Sequence, residues 1–310
     1  MELHQLRCFV AVVEEGGLNR ATTRIHITQP ALSYQIKQLE NELGVSLLHR
    51  QPRGITPTEA GRVLFQHARE VLEAERRALR AVEMLSDGVV GEIRIGTINS
   101  VGVYFLPPVL TLIQEKYPLA RSTIIYGRSL EVMEALLANQ VDLAIVADPR
   151  PNRRFSSETI TEETVSLVCS KNHPFCDKSS IVPSDLWGQK FVSLSHDTRT
   201  GHLVRDHLIR LGVNVDTVVS TPNVDTAKKM VETGLGIAFL PDMTTKEDIL
   251  RGGSTLHGLV RLDVRPPLTR SISLVTLKKL QRSQTLQAFI DEVRQHGANE
   301  KACVEPPGPR

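Results

Sequence analysis

The sequence predicts a multidomain fold: an all-α winged helix-turn-helix head, a long linker helix, and an α/β domain made of two lobes. Three observations carry it. Apolar residues recur at helical spacing up to about Gly54. A helix-start signal at Thr56, Pro57, Thr58 and Glu59 then opens a single apolar seam that reaches about Ser86. From Gly91 onward strands and helices alternate, and the alternation restarts at Glu163.

The head reads as short helices. Leu3, Leu6, Phe9, Val10 and Val13 give a first helix one apolar face, and Gly16 and Gly17 end it. Residues 18–25 form a second helix, and His26 and Ile27 a turn. Thr28 offers its hydroxyl to cap a third helix with Pro30 in its first turn, where a missing N–H costs little. Leu32, Ile36 and Leu39 form its inward stripe, and Gly44 closes it. Leu47, Leu48, His49 and Arg50, then Gly54, Ile55 and Thr56, flank Gln51, Pro52 and Arg53 as a strand–turn–strand wing.

In the long helix Leu64, Ala68, Val71, Glu75, Ala78, Val82 and Leu85 alternate by four and three, a heptad seam interrupted by Glu75. A helix of roughly thirty residues with one such seam is suited to pairing with a second chain, since helices of ordinary domains average about 11 residues. The alternative is a helix packed on its own domain.

Beyond it, strands are expected over 93–98, 122–126 and 141–146, with helices over 103–116 and 130–138. A second set follows: strands over 163–170, 191–194, 217–220 and 237–240, helices over 202–211 and 224–233. A strand over 271–277 and a helix over 283–295 close the pattern, and the residues past His296 read as a frayed tail. The expected division is a head over 1–58, a linker helix over 59–88, an α/β domain over 91–296 and a tail over 297–310. Within the α/β domain, lobe I takes about 91–162 and 268–296, and lobe II about 163–267.

Composition excludes several classes. The 310 residues are 41% hydrophobic and 23% charged, ordinary for a soluble protein. A net charge of +2 gives no blanket basicity, so any case for nucleic acid rests on where charges sit. Cys8, Cys169, Cys176 and Cys303 form neither a CxxC pair nor a metal-like cluster, so no cofactor or metal is expected, and reduced thiols in a cytoplasmic protein are the default. No basic-then-apolar segment opens the chain, and nothing approaches the roughly 18 apolar residues of a membrane span. Cys169 and Cys176 are close enough in sequence for a thiol switch, but Cys169 falls in an apolar strand, where a buried inert thiol is the rule. His202 and Asp206 lack a third metal ligand. Gly234, Leu235, Gly236 and Ile237 precede a strand rather than follow one, which fits a tight turn and not a phosphate loop.

With Leu32, Ile36 and Leu39 turned inward, Gln29, Ser33, Tyr34 and Lys37 face away, where a recognition helix presents side chains to base edges. Arg20, Arg24, Arg50 and Arg53 are placed to flank the groove as phosphate contacts. The bland alternative is a solvated helical face.

The head resembles that of the LysR-type transcriptional regulators. Ala21, the run Ile27, Thr28, Gln29, Pro30, Ala31, Leu32, Ser33, then Gln35, Ile36, Leu39, Glu40, Glu42, Leu43, Gly44, Val45, Leu47, Leu48, His49 and Arg50 match the family signature in order and spacing. So do Thr56, Pro57, Thr58, Glu59, Ala60 and Gly61, and a looser likeness extends to about Gln295. Tyr34 stands where the family often has arginine, and Gly17, Leu18 and Asn19 replace the usual serine-containing start of the second helix. The resemblance implies a non-enzymatic regulator whose winged head binds double-stranded promoter DNA. By the same resemblance its linker helices form a homodimer, and its effector domain is two-lobed like periplasmic binding proteins. Dimers joining through these domains would give a homotetramer. RNA polymerase is a further candidate partner, and no membrane is implied. The closing strand and helix would return to lobe I.

In open α/β sheets ligands sit beyond strand carboxyl ends, often at helix N-termini. Asn99, Ser100, Arg128, Ser129 and Asp148 follow strands of one lobe; Ser195, Thr198, Arg199, Thr200, Asn223 and Thr226 hold such places in the other. Donors of this kind suit a small anion such as a carboxylate. The resemblance places a small-molecule effector between the lobes, with Thr97, Asn99, Ser100, Arg128, Ser129, Ser195, Thr198, Thr200 and Asn223 as matching positions. The alternative is that the Ser, Thr and Asn residues are plain N-caps and Arg128 a solvated arginine. A solute-binding protein or an enzyme would instead call for a signal segment, a triad, a metal set or a cofactor loop, and the sequence offers none.

Overall fold

The computed structural model describes residues 1–51, 54–83, 88–178, 181–246, 259–262, 264–278 and 282–304. The chain divides into two compact units, Met1–Leu85 and Ser86–Arg310.

The first unit contains α1 (Leu3–Glu15), α2 (Leu18–Ile25), α3 (Gln29–Leu43), β1 (Leu48–Gln51), β2 (Gly54–Pro57) and α4 (Glu59–Glu83). Gly16 and Gly44 end α1 and α3 at φ +62° and +70°, the left-handed turn a glycine adopts without strain. Leu6, Phe9, Ala21, Leu32, Ile36 and Leu39 pack into one core with Leu47, Ala68 and Leu72. The wing is anchored at both ends. Ile55 donates its N–H to the Gly16 carbonyl at 3.0 Å, and the Glu40 carboxylate accepts the Leu47 N–H at 2.7 Å. At Gly61 helix α4 runs so close to the wing that a Cβ would lie 2.1 Å from the Leu47 carbonyl oxygen.

Three expectations for this unit are corrected. Thr28 caps α3 through its backbone conformation alone; its hydroxyl makes no capping bond. α4 starts at Glu59, where the linker helix is expected, but Thr56 is not its cap, because Thr56 and Pro57 are held in β2 opposite His49 and Leu48. Thr58 becomes the cap: its Oγ1 accepts the Gly61 N–H at 2.9 Å and donates to the Ser46 carbonyl at 2.8 Å. The heptad seam of α4 divides between two surroundings. Ala68 and Leu72 are buried in the head core with Leu64 against them, and Glu75 pairs with Arg7 at 2.5 Å. Val71, Ala78, Leu79 and Val82, at spacings of 7, 8 and 11, continue the same side of the helix and are exposed. Pro52, Arg53, Leu85 and Ser86 lie outside the described residues.

The second unit is built on a mixed sheet with strand order β10–β6–β11–β5–β3–β4, where β9 also pairs with β6. The strands are β3 (Gly91–Thr97), β4 (Ala120–Tyr126), β5 (Leu143–Ala147), β6 (Phe155–Ser170), β9 (Ala238–Pro241), β10 (Leu259–Leu262) and β11 (Thr269–Leu277). A separate parallel pair, β7 (Lys190–Leu194) and β8 (Asp216–Thr221), belongs to the second lobe. The helices are α5 (Asn99–Tyr104), α6 (Leu106–Lys116), α7 (Ser129–Leu137), α8 (Arg199–Arg210), α9 (Val224–Glu232) and α10 (Gln284–Val304). β6 is shared between the lobes. It pairs antiparallel with β11 from Phe155 to Thr164, and with β9 from Val165. Phe289, Ile95, Ile145 and Leu274 lie in the core on one side of this change; Phe191, Phe239, Leu167 and Val204 lie in that on the other.

Here too the structure departs from expectation. The helix read over 103–116 is two helices, α5 and α6, separated at Phe105. Pro107 and Pro108 lack N–H groups and fit only a first turn, so a new helix starts there. β6 begins at Phe155 rather than 163, because Ser156, Ser157 and Glu158 are exposed yet still paired with β11. β10 is an added strand on β6. The frayed tail does not start at 297: α10 continues to Val304, with Gly297 packed so that a Cβ would lie 2.6 Å from the Ile160 carbonyl oxygen. Residues 305–310 lie outside the described part. The turn read at Gly234 and Gly236 holds: Gly234 has φ +81°, and a Cβ on Gly236 would lie 2.4 Å from the Lys190 carbonyl oxygen.

Candidate functional site

In the first unit α3 offers one buried face and one open one. Leu32, Ile36 and Leu39 are buried, while Thr28, Gln29, Pro30, Tyr34 and Lys37 are exposed and Ser33 is half-buried. Tyr34 stands out at 59% exposure, far above what a core tyrosine shows. The arginines of α2 are engaged locally. Arg24 pairs with Glu14 at 2.7 Å and Glu15 at 3.2 Å, and Arg20 donates from Nε to the Glu15 carbonyl at 2.8 Å. Both therefore brace the α1–α2 corner, a role that charge placement along the sequence does not reveal. The side chain of Arg50 and all of Arg53 lie outside the described residues.

In the second unit a cavity of about 400 Å³ opens between the lobes. Seven of the nine positions proposed from sequence line it: Asn99, Ser100, Arg128, Ser129, Thr198, Thr200 and Asn223. Thr97 does not; it is the buried last residue of β3 and donates to the Ile145 carbonyl at 2.9 Å. Ser195 also stands outside the lining, with its hydroxyl on the Asp197 carboxylate. The first turns of α7, from one lobe, and of α8 and α9, from the other, all reach this cavity. Thr198 and Asn223 are true N-caps, accepting the Gly201 N–H at 3.0 Å and the Thr226 N–H at 2.9 Å.

Its charges are largely matched within the protein. Arg128 is held by Glu131 and, across the lobes, by Asp197 at 2.5 Å. Both carboxyls lie below their usual range. For Glu131 the Arg128 hydrogen bond is the chief cause; for Asp197 the Ser195 hydroxyl leads and Arg128 follows. The sequence reading missed the floor, where Arg270 on β11 is buried. It donates to Glu163 at 2.8 Å, to Thr200 Oγ1 at 2.8 Å and to Ser100 Oγ at 3.0 Å, so one cation touches both lobes. The strand alternates Ser and Thr with apolar residues, so Arg270 gives no signal in the sequence. Behind it Asn99 donates to Asp225 at 2.8 Å, Tyr104 donates to the same carboxylate at 2.5 Å, and Lys228 donates to the Tyr104 hydroxyl at 2.8 Å.

Away from the cavity, Cys169 and Cys176 bring their sulfurs within 3.7 Å. Burial pushes the Cys169 thiol up to about 12, with the Cys176 contact adding to the shift. No cluster of three potential metal ligands occurs among the described residues, and no helix there is long and apolar enough to cross a membrane.

A winged helix-turn-helix together with a two-lobed α/β domain around a cavity defines a DNA-binding protein with a small-molecule-binding domain. Family models match both parts: the bacterial regulatory helix-turn-helix protein, lysR family, over residues 3–62, and the LysR substrate binding domain over residues 86–298. The chain belongs to the LysR family of transcriptional regulators, and is a regulator rather than an enzyme. It is 28% identical over 300 residues to a hydrogen peroxide-inducible genes activator of Dickeya chrysanthemi, covering 96% of each chain. Two solved structures share its fold. Full-length CbnR complexed with its target DNA matches with a TM-score of 0.68 and 21% identity, over 96% of this chain and 100% of that one. The regulatory domain of Synechocystis PCC6803 CcmR in complex with 2-PG matches with a TM-score of 0.61 and 22% identity, over 67% of this chain and 98% of that one.

Proposed function

We propose that the protein binds promoter DNA as a dimer paired through α4, and that a small anion, a carboxylate in the simplest case, enters the inter-lobe cavity and alters that binding. The observation that carries the effector half is the convergence of three helix first turns on one cavity. Their N–H groups and dipoles favour negative charge. Arg128 contributes little free charge, since Glu131 and Asp197 already match it. The holding groups are then the first-turn amides, the Ser129 hydroxyl and the Asn223 side-chain amide. A structure of the same fold in complex with 2-PG supports this choice of ligand class.

For DNA, the reading set is Gln29, Ser33, Tyr34 and Lys37, with Thr28 and Pro30 at the start of α3. The exposed stripe of Val71, Ala78, Leu79 and Val82 supports pairing of two α4 helices, and the resemblance to the family supports a tetramer. Fluorescence anisotropy on DNA from upstream of the protein's own gene, with and without 2-PG or acetate, tests the proposal. Sequence-preferring binding that weakens with salt, and shifts severalfold with one of these anions, is the expected result. Binding with no sequence preference would overturn the DNA half; binding indifferent to every small anion tried would overturn the effector half.

A further inference from the structure

A second cavity, of about 420 Å³, adjoins the first and shares Ser129, Asp197 and Arg199 with its lining. Its character differs. Leu130, Met133 and Leu137, spaced i, i+3 and i+7, line up along one face of α7, and Phe155 at the start of β6 completes an apolar wall. Leu130 is 66% exposed, an unusual place for a leucine at a cavity mouth with nothing covering it. Opposite stands Arg199, the first residue of α8, with His202 one turn further and Arg150 from the segment between β5 and β6.

Arg128 and Arg270 are each matched by a carboxylate, whereas Arg199 and the exposed Arg150 pair with none among the described residues. The Arg199 Nε is out of reach of solvent and makes no hydrogen bond to the protein. The acids in the same lining do not answer it. Asp197 is taken by Arg128 and Ser195, Asp148 accepts from the Ser271 N–H at 3.0 Å and hydroxyl at 2.9 Å, and Glu134 is exposed.

We infer that this second cavity binds an apolar carboxylate, with the carboxylate on the Arg199 guanidinium and the hydrocarbon along the α7 face. A fork of N–H donors suits a planar carboxylate, and a wall of leucine, methionine and phenylalanine suits an alkyl or aromatic body. The site adjoins the first cavity and shares Arg199 with it, so the variants that tell the two apart are placed on residues lining only one of them.

The test is isothermal titration of the full chain with octanoate, acetate and octanamide. Octanoate is expected to bind at least tenfold tighter than either of the others, since only it satisfies both the cation and the wall. Arg199→Gln should remove the advantage of octanoate over octanamide. Leu130→Asp, at an exposed position where folding is not at stake, should weaken octanoate at least fivefold. Asn223 lines only the first cavity; Asn223→Asp keeps the side-chain oxygen that caps α9 and puts a negative charge where the small anion would sit. It should leave octanoate binding unchanged while weakening the response to 2-PG. Equal affinity for acetate and octanoate would overturn the inference, as would octanoate binding indifferent to Arg199→Gln. Loss of octanoate binding in Asn223→Asp would place the ligand in the first cavity and overturn it as well.

Discussion

Arg270 and Arg128 both tie one lobe to the other, and burial separates their consequences. The Arg270–Glu163 pair is 1% and 7% exposed, so neither charge has water to fall back on. Glu163→Gln strands a buried guanidinium and is expected to cost about 3–5 kcal/mol, measured by urea unfolding of the chain. Arg128 and Asp197 are 47% and 42% exposed, so Asp197→Asn should leave the melting temperature near that of the parent. His207 is a residue-scale handle on pH. It is buried against Phe239, and desolvation, with Arg210 adding, holds its imidazole below the ordinary range. The unfolded chain takes up that proton near pH 6.5 and the folded chain resists it. Stability is therefore fully present above about pH 6.5 and declines as pH falls below it. His207→Phe should flatten this part of the decline in unfolding curves recorded between pH 7.5 and 5.

At the scale of elements, α4 changes surroundings along its length. Leu72 belongs to the head core, and Leu72→Ala should destabilise the head by about 2–5 kcal/mol. Leu79, two turns further along, is exposed, and Leu79→Glu should split the dimer in sedimentation velocity while leaving head unfolding unchanged. Heptad spacing located the helix but read one uniform seam, because spacing alone does not say that the head core already covers Ala68. The same limit explains other differences. Glycine stops, the inward stripe of α3 and the wing were readable, since each depends on residues a few positions apart. The pairing of Ser156–Glu158 with β11 was not, because it depends on a strand more than a hundred positions away. Thr97 and Ser195 shared the spacing of cavity residues but had local carbonyl or carboxylate partners that only the fold supplies. Arg270 was the converse: unremarkable in sequence, decisive by position.

For the whole molecule, the division at residues 85 and 86 coincides with the gap between the two matched family models. Cutting there separates two cores that share no member. A chain covering 86–310 should unfold cooperatively by itself and retain anion binding. One covering 1–85 should bind DNA weakly and ignore any anion, as fluorescence anisotropy would register. Full ligand response from the shorter piece would place the effector site in the wrong unit.

β6 passes from one lobe to the other without leaving the sheet, changing partner between Thr164 and Val165. Lobes connected by slack loops can drift in any direction. Here the connection is itself a hydrogen-bonded strand, with the Val165 N–H still on the Leu268 carbonyl at 2.7 Å just before β11 begins. A continuous strand restricts the directions in which the lobes can move relative to one another. On the proposed function, a ligand beside it would act by favouring one of few lobe arrangements rather than by pushing the lobes apart.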